Sequence, residues 1–274
     1  MSKKPVKYIN NRDLLIEIHK SKNSYSSFSS SEYNSFNLIL DDIGKIDQEA
    51  IDTAKRNKAK RMAIMECEKA KLVTPTAKLI DFEIDPETIP TTDLIFRIMT
   101  YDHIPDAPGR KKSIKTIADT KERVNFPPFI HVKFDSNNEL IVVGKSHWEG
   151  DINEGKFSAT HGQMTNEYAL MLMKLCEKYT SKGNLRKYTY TDEMQGEAIL
   201  QLAQAGLKFN EFKSDNPFSF LTSTIHNAIL RVLNAEKNIQ NIRDDLLEFH
   251  DLNPSYTRTI DNEFESDVRR ELDL

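Results

Sequence analysis

The stretch NPFSFLTSTIHNAILRVL (216–233) constrains local structure more than any other part of the chain. Asn216 is a strong N-cap residue, and Pro217 suits the first helical turn, where its missing N–H would have had no partner anyway. At about 100° per residue, Leu221, Ile225, Ala228, Ile229 and Val232 gather on one side, the stripe a fold would bury. The other side carries Phe220, Ser223, Thr224, Asn227 and Arg231. An aromatic ring among hydroxyls, an amide and a guanidinium has no packing reason to face outward, so that face is expected to meet something.

The rest of the chain reads as mostly helical around one β-containing segment. Asn10 or Asn11 starts a short amphipathic helix led by Leu14, Leu15 and Ile18, and SKNSYSSFSSSEYNSF after it reads as a linker. From Asp47 to about Lys71 the composition turns to strong helix formers, with Ile51, Ala54, Met62, Met65 and Cys67 among them. In FPPFIHVKFDSNNELIVVGKSHW, Ile130, Val132 and Phe134 alternate with polar residues before a Ser136–Asn138 turn, which predicts a β-hairpin over about 129–143, with His131 on its exposed face. TNEYALMLMKLCEKY and TDEMQGEAILQLAQAGLKF are two further helices, and EKNIQNIRDDLLEFH is a third, reaching about His250. The residues from Glu248 to Leu274 hold eight carboxylates against three arginines, the composition of a mobile acidic tail.

Charge and cysteine usage narrow the function classes. A net charge of −4 gives no global basic excess of the kind an autonomous nucleic-acid binder carries, so any DNA contact needs help from a partner. Cys67 and Cys176 lie far apart outside any CxxC, as packing residues of a reduced protein do. No signal-peptide pattern and no run of about 18 apolar residues occurs, so a soluble, cytoplasmic chain with no membrane partner is expected.

Catalytic signals are weak. Gly144-Lys145-Ser146 follows an apparent strand, but the position five residues before Gly144 is Glu139, where a phosphate-cradling loop needs glycine. His103, His131, His147 and His161 show no ligand spacing, so no metal and no cofactor is expected. Asp192 reads as an N-cap answered by Gln195. No nucleophile motif appears, and an enzyme is the weaker class. The helix over 192–208 is sharper: Ala198, Ile199, Leu200, Ala203 and Leu207 would be its apolar side, against a polar strip of Glu193, Glu197, Gln201, Gln204 and Lys208. Such a strip is either solvated or suited to docking on a basic partner.

Asp192-Glu193-Met194 followed by GLKFNEFKSDNPFSFLTSTIHNAILRVLNAEK (206–237) resembles the promoter-melting region of bacterial sigma factors, and with KYINNRDLL at the front the chain resembles the late-transcription sigma factors of T-even-like bacteriophages. That resemblance implies a phage-encoded factor, in the host cell cytoplasm, that joins host core RNA polymerase and directs initiation at AT-rich late promoters by recognising and melting an element of the minus-ten type. It implies a mainly α fold: a sigma region-2-like helical domain with a small α+β insertion containing a β-hairpin. The corresponding divisions are 1–21, the N-terminal helix of the sigma-like part; 22–160, the insertion; 161–253, the region-2-like domain; and 254–274, an acidic flexible tail. Asp192, Glu193, Gln195, Glu197, Gln201 and Gln204 would then dock on the clamp helices of the largest polymerase subunit. Phe218, Phe220, Ser223, Thr224, Asn227 and Arg231 would hold the non-template promoter strand, with Lys237 and Arg243 further along. The family's tail binds a sliding clamp and works with a late coactivator, a role that would fall here to Ile260 and Phe264 of IDNEF and to Leu272 and Leu274 of VRRELDL. Two departures stand out. Ser223-Thr224 occupies the place of the two tryptophans that wedge the duplex in housekeeping factors, and only 20 residues follow Pro254, too few for an upstream-reading helix-turn-helix. The reading from another class is a polymerase-binding coactivator or inhibitor that uses the acidic helix without touching promoter DNA.

Overall fold

The computed structural model describes residues 9–73, 79–105 and 124–272. In chain order the elements are α1 (Asn11–Asn23), β1 (Ser26–Phe28), β2 (Leu38–Leu40), α2 (Gln48–Val73), β3 (Ile95–Met99), β4 (Phe129–Phe134), β5 (Leu140–Ser146), β6 (Trp148–Glu149), β7 (Lys156–Phe157), α3 (Asn166–Thr180), α4 (Thr191–Ala205), α5 (Pro217–Phe249) and α6 (Tyr256–Leu272), with short 3-10 turns between them. The described residues divide into two compact units, one within 1–175 and 203–221 and the other within 176–202 and 222–274.

The expected hairpin is present as β4 and β5, closed by a turn in which Asn138 adopts a φ of 61° and donates its N–H to the Asp135 carbonyl. Asparagine tolerates that left-handed backbone better than most residues. The hairpin is only the middle of a five-stranded sheet of order β1-β5-β4-β3-β2, antiparallel except for the parallel pair β2–β3. A parallel pair cannot be joined by a tight turn, and α2 lies in the crossover between β2 and β3. Ala54 and Ala59 of that helix bring it close to Leu94, Phe96, Ile98, Val132 and Phe134, which fill one side of the sheet.

The opposite side of the sheet overturns the expectation for His131. Strand β4 is internal and covered on both faces, with a bulge between His131 and Val132, so His131 is fully buried rather than exposed. The serine-rich stretch is also more than a linker. It supplies edge strand β1 and a 3-10 turn, and two of its hydroxyls bond backbone carbonyls, Ser24 Oγ donating to distant Gln163 at 2.6 Å and Ser26 Oγ to nearby Lys22 at 2.9 Å. Helix α1 belongs to this same unit, with Leu14 and Ile18 fully buried. Ser21 Oγ accepts from the Thr165 N–H at 3.1 Å, and Thr165 Oγ1 donates to Glu17 at 2.9 Å, tying α1 to the start of α3.

The GKS stretch has a structural explanation. A Cβ on Gly144 would sit 2.4 Å from the Phe28 ring, so only glycine lets β1 lay that ring across β5. Lys145 Nζ donates to the Ile152 carbonyl at 2.8 Å and lies 4.5 Å from the Trp148 ring centre, while Ser146 Oγ accepts from the Phe129 N–H.

In the second unit, Cys176, Leu185, Met194, Ala198, Leu202, Ile225, Ala228 and Ile229 are the buried apolar residues. The helix expected over 216–233 and the one after it form a single 33-residue helix, α5, since no proline or glycine interrupts them. It ends in a Schellman motif, with Asp251 at a φ of 55°, the Leu252 N–H on the Leu247 carbonyl and the Asp251 N–H on the Glu248 carbonyl. The acidic tail, read from composition as mobile, folds as α6: Ser255 accepts the Thr259 N–H and is itself held by Asp244, which accepts from Ser255 N at 3.0 Å and Oγ at 2.6 Å. Among the described residues no helix is long and apolar enough to cross a membrane.

Candidate nucleic-acid interface

The approach to α5 is held from three directions within the first unit. Asn216 caps the helix as expected, its Oδ1 accepting from the Ser219 N–H at 3.0 Å. Asn11, from the start of α1, accepts the next orphan N–H, that of Phe218, also at 3.0 Å. Upstream, the fully buried Lys22 ammonium donates to the Phe209 carbonyl and to Glu211, both at 2.7 Å. Burial opposes ionisation of Glu211, but Lys22, Arg97 and His19 outweigh it and hold the carboxyl down at about 2.

Arg97 is the second cation of this cluster. Its guanidinium lies between the Phe36 and Phe129 rings, at 3.9 and 3.8 Å, and Nε donates to His131 Nε2 at 2.9 Å. His131 Nδ1 faces the Tyr33 carbonyl at 2.7 Å, so the neutral tautomer with the proton on Nδ1 satisfies both contacts. Burial, then the charge of Arg97, pushes the His131 pKa well below its ordinary value, while burial brings Arg97 down to about 10, still a cation. Sequence reasoning missed this cluster entirely.

On α5, Ser223, Asn227 and Arg231 are exposed and Thr224 is half-buried. Phe218 keeps 39% of its surface, while Phe220 is half-buried with its ring 5.7 Å from that of Phe209. Phe220 is therefore neither enclosed nor fully outward, and its ring packs against that of Phe209. Arg231 donates to Glu197 at 2.9 Å, so one residue of the expected DNA face is bonded to one of the expected polymerase strip. Lys237 and Arg243 are exposed further along the helix.

Helix α4 is rotated from the sequence reading. Its buried row is Met194, Ala198 and Leu202, one residue every turn, while Leu200 is 51% exposed and Ala203 is exposed too. Asp192 is not the cap: the helix begins at Thr191, whose hydroxyl donates to the Leu185 and Tyr188 carbonyls, and the Met194 N–H bonds the Tyr190 carbonyl. Asp192, Glu193 and Gln204 are exposed; Gln195, Glu197 and Gln201 are half-buried, and Gln201 donates to Glu197. In α6, Ile260 and Phe264 are exposed on one row with Val268. The Leu272 side chain and Leu274 lie outside the described residues.

Two tyrosines that the sequence reading did not single out stand beside α5. Tyr188 and Tyr190 precede α4 with ring centres 5.3 Å apart, and the signal was present in RKYTY (186–190), where basic and aromatic residues interleave. Among the described residues no group of three or more His, Cys, Asp or Glu is arranged to hold a metal ion. No family model, curated protein or solved structure matches the chain.

Proposed function

We propose that this chain is a sigma-type initiation factor of a bacteriophage, which binds host core RNA polymerase and melts an AT-rich promoter element. The observation that carries the reading is the start of α5. A doubly capped helix N-terminus carries Phe218 and the half-buried Phe220 in the first unit, and the same helix exposes Ser223, Asn227 and Arg231 in the second. An aromatic platform followed by amide and guanidinium groups suits an unpaired strand, because every base offers a π-face and stacking is worth about 1–3 kcal/mol per base. Asp192 and Glu193 leave an acidic surface at the start of α4 for the basic partner that supplies the rest of the DNA grip. The exposed row of α6 is where a sliding clamp would attach.

Reconstituted transcription tests the proposal. Purified bacterial core polymerase plus this chain should initiate at one site on an AT-rich late-type promoter and not on a scrambled one. Initiation no better than with core alone would overturn it. The Arg231–Glu197 bond favours the second reading, a polymerase-binding regulator without promoter contact, because it pairs one cation of the face with an acid. Under that reading the chain co-purifies with core polymerase and changes transcription by another factor, yet directs none itself.

A further inference from the structure

The second unit holds a cleft that the reading above does not use. Its volume is about 820 Å³, and it opens between α5, the start of α6 and the strand of chain before α4. Tyr188 and Tyr190 line one wall, with Tyr188 41% exposed. The part of the lining that comes from α5 includes Asn234, Lys237, Asn241 and Arg243, all exposed. After the bonds from Ser255, the Arg243 charge helps hold the neighbouring Asp244 carboxyl below its ordinary value. Two acids in the lining, Glu236 and Asp261, keep the cleft from being a general anion sink; a third, Asp244, is engaged by Ser255.

Local charge distinguishes the segment that leads into Tyr188 and Tyr190 from the rest of the chain. Residues 178–190 contain four cations, Lys178, Lys182, Arg186 and Lys187, with three tyrosines and no acid, in a chain whose net charge is −4. All four cations are exposed, and the Lys182 ammonium already lies 3.8 Å from the centre of the Tyr179 ring. Basic residues interleaved with aromatic rings are what a single nucleic-acid strand needs, phosphates on the cations and bases on the rings. Along α5, Asn227, Asn234 and Asn241 repeat every seven residues, which keeps them close to one face of the helix and about 20 Å from first to last. The amide row therefore runs from the face assigned to the promoter strand into the cleft.

We propose that the Tyr188–Tyr190 cleft is a second station for the unpaired DNA strand, taking a nucleotide whose base stacks on the tyrosine pair and whose phosphate meets Lys237 and Arg243. The proposal rests on the reading of the chain as a strand-binding initiation factor. It adds a separate site on the far stretch of α5, and the commitment is to DNA rather than RNA.

The test uses the holoenzyme formed with core polymerase and a short AT-rich single DNA strand carrying a fluorescent purine analogue at successive positions. Two positions should be quenched by stacking. The double variant Tyr188→Ala/Tyr190→Ala should lose one of them and weaken strand binding by roughly tenfold or more, whereas Tyr188→Phe/Tyr190→Phe should retain both. Charge removal provides a test that leaves the rings in place: Lys237→Gln and Arg243→Gln should each lower the salt slope of strand binding by about 0.7. Co-elution with core polymerase shows that each variant is folded. Unchanged quenching in the alanine double variant would overturn the proposal, as would tighter, tyrosine-dependent binding of the matching RNA strand. If Phe220→Ala leaves the other quenched position intact while the tyrosine variant removes its own, the Phe220 platform fails and the cleft stands.

Discussion

The two units differ in where they place charge and in how their exposed apolar side chains are arranged. The first buries the side chains of Arg97, which lies between the Phe36 and Phe129 rings, and of the bonded pair Lys22 and Glu211, surroundings in which charged groups are rarely found without partners. The second leaves large apolar side chains outside: Ile239, Ile242, Leu246 and Phe249 follow a three-four-three spacing along α5, with Phe249 81% exposed, and Ile260 and Phe264 continue the pattern on α6. The first unit also exposes apolar side chains, Ile80 at 76% among them, but its buried Lys22 fixes the approach to α5 through Phe209 and Glu211. The second is an incomplete surface, suited to being covered when it assembles with something larger.

The largest effect should come from opening the first unit's buried ion pair. Lys22→Met leaves the Glu211 carboxylate buried beside a lost partner and should cost about 3–5 kcal/mol in urea unfolding, most of it recovered by adding Glu211→Leu. A loss below about 1 kcal/mol would contradict a buried, bonded pair.

Acid should distinguish the units next. His131 and His147 are fully buried and both sit well below 6.5 in the folded chain, at about 3 for His147, chiefly through burial. The unfolded chain therefore binds protons first. Stability is complete above about pH 6.5 and falls as pH drops, by about 1.4 kcal/mol per pH unit for each histidine, or about 3 for the pair. Urea midpoints between pH 7 and 5.5 measure this, and a flat profile would contradict neutral burial.

A smaller effect belongs to Gly144→Ala, whose new methyl meets the Phe28 ring and should cost about 1–3 kcal/mol, relieved in part by Phe28→Leu. The smallest lies on the other unit. Phe249→Ser should change the stability of the isolated chain by no more than about 0.5 kcal/mol, since the ring is already in water. Its effect should appear instead in the yield of complex with core polymerase or clamp, read by co-elution. A large loss of stability there would erase the contrast between the units.

What was legible in the sequence was periodic and local. The cap at Asn216, the stripe of Leu221, Ile225, Ala228 and Ile229, and the β4–β5 hairpin were all readable, because each depends on neighbours within a few residues. The phase of α4 was harder: with Leu200, Leu202, Ala198 and Ala203 all apolar, two adjacent stripes compete, and packing chose the row through Met194. The sheet beyond the hairpin was hidden because β1 and β2 are three residues long and find their partners far along the chain. No local pattern reveals that Phe36 and Phe129 will enclose the guanidinium of Arg97. The candidate strand-binding face followed from α5 alone, whereas the tyrosine pair was masked by averaging charge over the whole chain rather than over 178–190.

The central claim is that one residue at the head of α5 grips an unpaired base. Holoenzyme carrying Phe220→Ala, probed on an AT-rich promoter with permanganate at unpaired thymines, measures it most directly. The account predicts opening reduced by about tenfold or more with core binding unchanged. Thymine reactivity equal to that of the unsubstituted chain would contradict it.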